Sequence, residues 1–221
     1  MFSVRKIALF DMDKTLVRKD TAGLFIRYEY DMGRASAWRV ARVFGWRVLY
    51  SLGLLPAEDV ARRAVSWYQG RLIAELREET RIWADQCVLP LIGPIARATV
   101  KRHQDAGDFV AIVTAQTRYA AEPVMKELGI EHMVATELVI EEGRVGNGLI
   151  EPLCYGEGKL VRVREMLREE LGSDDLSTAT AYTDSITDEP LLRAVAVPVA
   201  VNPDVRLARL AKERNWRVET W

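Results

Sequence analysis

Cysteine is almost absent from this chain: two residues in 221, Cys87 and Cys154, far apart and in no metal-ligand spacing. That excludes a disulfide scaffold and a thiolate metal centre, and leaves two buried free thiols in a reducing compartment as the expectation. Excess charge of one sign is lacking as well. Lys and Arg number 31 against 32 Asp and Glu, a net charge of −1, so no basic footprint for nucleic acid is present. Long apolar runs are missing too. The uncharged run at 48–57, for instance, is far too short to span a bilayer. The first residues lack a signal-peptide pattern, because the strand-like run ending at Phe10 meets Asp11 and Asp13 at once. No internal repeat or low-complexity tract occurs. A soluble cytoplasmic protein is expected.

What is present is ordinary globular composition, 49% hydrophobic and 29% charged, enough for a sizeable core. Residues 6–10 read as a buried strand ending at acidic residues. From about 20 to 87 the pattern is helical, with Trp38, Trp46, Trp67 and Trp83 recurring among arginines. Gly33, Gly53, Pro56 and Gly70 divide this stretch into four helices. Beyond Pro90 strands and helices alternate. Helices are expected over 92–106, 117–128, 158–171, 189–194 and 204–214. Strands are expected over 109–113, 132–135, 178–183 and 195–201, with a hairpin formed by 137–140 and 144–150. This pattern predicts an α/β fold: a doubly wound parallel sheet core made by 1–16 and 90–221, with an all-helical cap inserted at 17–89. Ligands of such sheets bind at the carboxyl ends of the strands, where Asp11, Thr114 and Asp184 fall.

Asp11-Met12-Asp13-Lys14-Thr15 taken alone could be a turn or a helix cap. The run Tyr182-Thr183-Asp184-Ser185-Ile186-Thr187-Asp188 closes a second apolar strand in the same way. If both strands share one parallel sheet, four carboxylates converge. Two carboxylates about 4 Å apart repel by roughly 4 kcal/mol at an effective dielectric near 20. Such a cluster is tolerable only if protonated or bound to a cation. Its all-oxygen donors suit Mg²⁺, which also grips phosphate oxygens. The hydroxyl of Thr114 and the backbone N–H groups of Ala115 and Gln116, placed at the start of the next helix, can hold phosphate oxygens. Lys159 sits at another helix start, against helix-dipole preference, which a bound anion would explain. Alone it would read as a solvated surface lysine.

In these motifs (Asp11-Met12-Asp13-Lys14-Thr15, Val113-Thr114-Ala115, Gly158-Lys159 and Asp184-Ser185-Ile186-Thr187-Asp188) the chain resembles the haloacid dehalogenase superfamily, in its phosphoserine phosphatase-like branch. The segment 182–192 and the tail 201–216 are similar to small bacterial phosphatases, some of which act on histidinol phosphate. The resemblance implies a Rossmann-like core and a Mg²⁺-dependent phosphatase acting on a small phosphorylated metabolite. It implies Asp11 as nucleophile forming an aspartyl-phosphate, and Asp13 as the acid and then the base. It implies Mg²⁺ held by the carboxylates of Asp11 and Asp184 and the backbone carbonyl of Asp13, with Asp188 and Ser185 close behind. Thr114 and Lys159 would bind the transferring phosphoryl, and Thr15, Ala115, Gln116 and Asp20 would contact substrate. A phosphotransferase, or a non-catalytic phospho-ligand module on the same fold, would share many of these residues.

Two departures from the family pattern carry expectations of their own. Thr183 stands where relatives often have glycine, and a β-branched residue there could narrow the approach to the metal. Lys14 replaces a residue commonly small or uncharged; the expectation is a solvated lysine turned away, the alternative a positive charge beside the phosphate. Asp20 either meets a substrate amine or caps the first cap helix. Arg62, Arg63 and Arg71 are candidates for a substrate carboxylate. The basic, aromatic segment 36–55, with Arg39, Arg42 and Arg47, could lie on an anionic membrane, but a packed cap helix with its arginines in water is expected.

Overall fold

The computed structural model describes residues 5–51 and 54–221; Gly53 and the side chain of Arg47, named above, lie outside that description. The strands in chain order are β1 (Ile7–Phe10), β2 (Phe109–Thr117), β3 (His132–Glu141), β4 (Arg144–Ile150), β5 (Ala179–Thr183), β6 (Val197–Val201) and β7 (Arg217–Glu219). They form one sheet ordered β4-β3-β2-β1-β5-β6-β7, parallel throughout except for β4. All four residues of β1 are buried, as befits a strand covered on both faces. Ala8 and Phe10 pack into one apolar layer; Ile7 and Leu9 pack into the other. The period-2 alternation of one strand thus feeds two cores.

Between β1 and β2 come α1 (Thr21–Asp31), α2 (Ala37–Ser51), α3 (Ala57–Val65), α4 (Ile73–Cys87) and α5 (Pro94–Asp105). The remaining helices are α6 (Arg118–Glu127), α7 (Glu157–Leu171), α8 (Glu189–Ala194) and α9 (Val205–Arg214). The chain leaves the sheet and returns to it side by side: Val17 bridges Ile92, and the Gly93 N–H donates to the Leu16 carbonyl at 3.2 Å. The helices α1–α4 that lie beyond this crossing are the four expected from the sequence. Val65 and Leu76 from them pack on Tyr119, Leu138, Val145 and Leu149, so the helical segment rests on α6 and the β3–β4 hairpin. No helix among the described residues is long and apolar enough to cross a membrane. On α2, Trp46 is buried and faces Trp67, while Trp38 and Phe44 are exposed.

Three expectations need correction. The strands expected at 132–135 and 137–140 are one strand, β3, whose first half pairs with β2 and whose second half pairs with β4. β2 runs to Thr117, four residues past its expected end, because Thr117 still pairs with Thr136. β7 was not expected; three residues carry too little periodicity to be read, and its pairing with β6 is a tertiary fact.

Candidate active site

The parallel register of β1 with β5 pairs Phe10 with Tyr182, and the Asp11 N–H continues the ladder by donating to the Tyr182 carbonyl at 2.9 Å. Asp11 is therefore level with Thr183, and Asp184 follows one residue later on the adjacent strand. On the other side Phe10 pairs with Ile112, which sets Thr114 beside them. These three residues, with Asp13, Lys14, Asp20, Ala115, Tyr155, Lys159, Ser185, Thr187 and Asp188, line a crevice of about 250 Å³ at the carboxyl edge of the sheet.

Lys159 is the hub. Its ammonium donates to Asp11 Oδ1 at 2.7 Å and to Asp188 Oδ2 at 2.6 Å, and the side chain is 2% exposed. The solvated surface lysine is overturned. α7 starts close against the chain after β4: a Cβ on Gly158 would meet the Leu153 carbonyl oxygen at 2.1 Å. Only glycine permits that approach, which carries the next residue, Lys159, into the crevice. Thr183 donates its hydroxyl to Asp188 Oδ2 at 2.5 Å, so this side chain fixes Asp188. Asp188 is thus held by a lysine and a threonine.

The electrostatics follow from burial. Burial works against the charge of Lys159, but Asp11 and Asp188 outweigh it and raise its pKa, so the ammonium persists. The surplus negative charge is relieved on the carboxylates. Burial, countered by Lys159 and reinforced by Asp188 and Asp184, pushes Asp11 up to about 8. Burial pushes Asp184 up to about 6, against the pull of Lys14. Carboxylates that retain protons near neutrality are groups that a cation would discharge.

Among the described residues no three His, Cys, Asp or Glu side chains are grouped to enclose a metal. Asp11 and Asp184 bring two carboxylates to one crevice, an all-oxygen donor set. That fits Mg²⁺, which keeps several waters and avoids all-protein cages.

Asp13 is held separately. Its Oδ1 accepts from the Thr21 N–H at 3.0 Å and hydroxyl at 2.6 Å, and its Oδ2 accepts from Gln116 Nε2 at 2.7 Å. Burial raises its pKa, against the bonds from Thr21 and Gln116. A carboxyl that keeps its proton is the form a general acid needs.

The sequence matches the family described as haloacid dehalogenase-like hydrolase over residues 8–193. The chain belongs to that family. It is 30% identical to a histidinol-phosphatase of Neisseria meningitidis over 218 residues, 97% of this chain and 98% of that protein. It is 32% identical to a phosphoserine phosphatase of Mycobacterium tuberculosis over 220 residues, 96% of this chain and 69% of that one. A solved protein of unknown function from Bordetella pertussis superposes with TM-score 0.91 at 30% identity, covering 98% of this chain and 99% of that one. A phosphoserine phosphatase solved as a phospho-aspartyl intermediate analogue superposes with TM-score 0.69 at 21% identity, over 99% of this chain and 94% of that one, which shows a shared fold.

In this haloacid dehalogenase-like hydrolase not every expected site residue meets the crevice. Thr15 is buried, its hydroxyl has no hydrogen-bond partner, and it is not among the crevice residues. Ala115 and Gln116 do not open a helix: β2 continues through them and α6 starts at Arg118. The Gln116 N–H is taken by Thr114 Oγ1 at 3.1 Å, and the Gln116 side chain serves Asp13. Lys14 does not turn away. It lines the crevice with Nζ 3.6 Å from Asp184 Oδ2, although its side chain is half exposed. Asp20 accepts from the Gly23 N–H as the N-cap of α1, and it also lines the crevice. Of the candidate arginines, Arg62 pairs with Glu151, Arg71 pairs with Glu79, and Arg63 lies over the Trp46 ring; none lines the crevice.

Sequence reasoning missed Thr21, Tyr155, Thr187 and Asp204. Asp204 caps α9 and also accepts from the Ile186 N–H at 2.9 Å, while its own N–H donates to the Asp184 carbonyl at 2.8 Å. It clamps the 184–188 loop. An Asp opening a predicted helix was visible as a cap signal, but nothing local pointed back to that loop.

Proposed function

We propose that this hydrolase cleaves phosphate monoesters of small metabolites through a covalent aspartyl-phosphate. The observation that carries the reading is Asp11 Oδ1 at 2.7 Å from the buried Lys159 ammonium, with Asp13 and Thr114 on the same crevice. A carboxylate oxygen of Asp11 attacks phosphorus as the bond to the leaving oxygen breaks. Asp13 gives its proton to that oxygen, and the alcohol departs. Asp13 then takes a proton from water, whose oxygen attacks the aspartyl-phosphate and regenerates Asp11 with free phosphate. Lys159 and the Thr114 hydroxyl hold the phosphoryl oxygens as their charge spreads. Mg²⁺, held by the carboxylates of Asp11 and Asp184 and the Asp13 carbonyl, would neutralise phosphoryl charge and align the ester. Residues 17–89 form the cap and 1–16 with 90–221 the core, the cap excluding water from the crevice. With both cysteines free, the proposed setting is the cytoplasm.

The test is phosphate release from p-nitrophenyl phosphate, histidinol phosphate and phosphoserine, the latter two being named for relatives. Release should require Mg²⁺ and stop on chelation, and Asp184→Asn should raise the Mg²⁺ concentration for half-maximal rate about tenfold or more. Full activity after exhaustive chelation would remove the metal from the mechanism. A second readout is thermal. Folded Asp11 and Asp184 titrate above the ordinary 3.8, so the folded state binds more protons than the unfolded state between about 4 and 8. Their contribution to stability is therefore lost as pH rises through that window. A cation replaces those protons, so Mg²⁺ should raise Tm more at pH 8 than at pH 6; an equal rise at both would contradict the site.

Asp20 tests substrate charge. If it faces an amine on the leaving group, Asp20→Asn should lower kcat/KM for amine-bearing monoesters about ten- to a hundredfold more than for p-nitrophenyl phosphate. Asn caps a helix about as well as Asp, so a purely capping role leaves the ratio unchanged within about twofold.

A further inference from the structure

A second cavity, of about 170 Å³, lies between the helical segment and the core. Its walls include Phe25, Trp67, Tyr68, Leu76, Trp83 and Leu138, and no charged residue is among the described residues that line it. It is joined to the catalytic crevice by one carboxyl group. Thr21 and Gln116 line this cavity, and they are the residues that hold the two oxygens of Asp13, which lines the crevice. Asp13 thus stands as the partition between the two spaces.

That placement constrains the substrate. The leaving oxygen must come within hydrogen-bond reach of Asp13 to receive its proton. The phosphoryl lies on the Asp11 and Lys159 side, so the carbon skeleton of the alcohol continues past Asp13, and the space lined by the Asp13 partners is this cavity. An apolar protein cavity of about 150 Å³ accommodates benzene, so this one is large enough for a single ring. Among the described residues no arginine or lysine is in its wall, and an unpaired buried charge is costly. Trp83 is 1% exposed and its indole N–H has no hydrogen-bond partner. A buried donor left unpaired is costly, and an acceptor at the edge of a bound ring would satisfy it.

We infer that the cavity receives the alcohol moiety, and that the substrates are phosphate monoesters whose alcohol carries a neutral aromatic or branched apolar arm. This rests on the phosphatase reading above and narrows it. A small zwitterionic alcohol leaves the cavity unfilled.

The experiment compares kcat/KM for 2-phenylethyl phosphate with that for ethyl phosphate, using the whole chain with Mg²⁺. Burial of the ring should favour the phenylethyl ester about ten- to a hundredfold. Ala64→Phe and Ala120→Phe each add a ring to the cavity wall, one from α3 and one from α6, and either should cut that preference at least about fivefold. Two variants guard against one that fails to fold, which a thermal melt reports. Calorimetric binding of 2-phenylethanol to the metal-free protein, weakened by the same variants, gives a readout independent of turnover. Equal kcat/KM for the two esters within about twofold overturns the inference while leaving the phosphatase reading intact. A preference that survives both fillings also overturns it, because the ring is then bound elsewhere. Absence of phosphate release from every ester defeats the phosphatase reading, and binding of the alcohol then decides the cavity alone.

Discussion

Asp11→Asn should abolish phosphate release, by about a thousandfold or more in kcat, and leave the fold in place. Asparagine is nearly isosteric and still occupies the end of β1, but its amide is a poor nucleophile. Stability points the same way as geometry. Removing one partner of a buried ion pair ordinarily costs about 3–5 kcal/mol, because it strands the other charge. Here Lys159 keeps Asp188 at 2.6 Å, and the site loses one of several mutually repelling carboxylates. Tm should therefore hold or rise. A variant that keeps more than about a tenth of the wild-type rate, measured on p-nitrophenyl phosphate at saturating Mg²⁺, would sink the covalent role. A variant that is inactive because it unfolds would contradict the charge argument instead, and the melt separates the two outcomes.

Much of this site is legible in the sequence. Asp11, Thr114 and Asp184 follow apolar runs, and in a parallel sheet three such runs end on one edge; the observed register of β1 with β2 and β5 is the event that joins them. The Lys159 ammonium was legible only in company. Its anomalous place at a helix start was a real signal, but it was ascribed to an anion, and the structure adds Asp11 and Asp188 as its partners. Gln116 shows where local reading fails. Val113-Thr114-Ala115-Gln116-Thr117 has no marker for where strand yields to helix, and the outcome was set by Thr136, 19 residues beyond Thr117, which pairs with Thr117 and donates to the Ala115 carbonyl. The place of Lys14 is hidden for a similar reason: its attraction to Asp184 links residues from the loops after two different strands. The apolar cavity could not be foreseen, since its walls come from α1, α2, α3, α4, β2, α6 and β3 and no single segment reports the space they leave.

Lys159→Met should damage both activity and stability, and the pH dependence of the second tells why. Methionine keeps the length and apolar stem of lysine, so packing along α7 changes little. The transferring phosphoryl loses its buried cation, which should lower kcat about a hundred- to a thousandfold. Asp11 and Asp188, both close to fully buried, lose their shared counter-charge, which should cost about 3–5 kcal/mol at pH 8. The sign with pH follows from proton counting. Without the lysine, which now pulls the Asp11 pKa down, Asp11 holds its proton more tightly still, so the folded state binds more protons than the unfolded state from about pH 4 upward. Stability then falls as pH rises, more steeply than in the wild type, and the deficit in Tm should be small near pH 5 and large near pH 8. Protons at low pH do the work that the ammonium does at high pH. Adding Asp188→Asn to Lys159→Met removes one stranded charge and should recover part of the loss at pH 8, without restoring turnover. A deficit that is the same at pH 5 and pH 8, or a double variant no more stable than the single one, would mean that Lys159 acts through packing, and the account of this site as a cluster of carboxylates held by one buried cation would have to be abandoned.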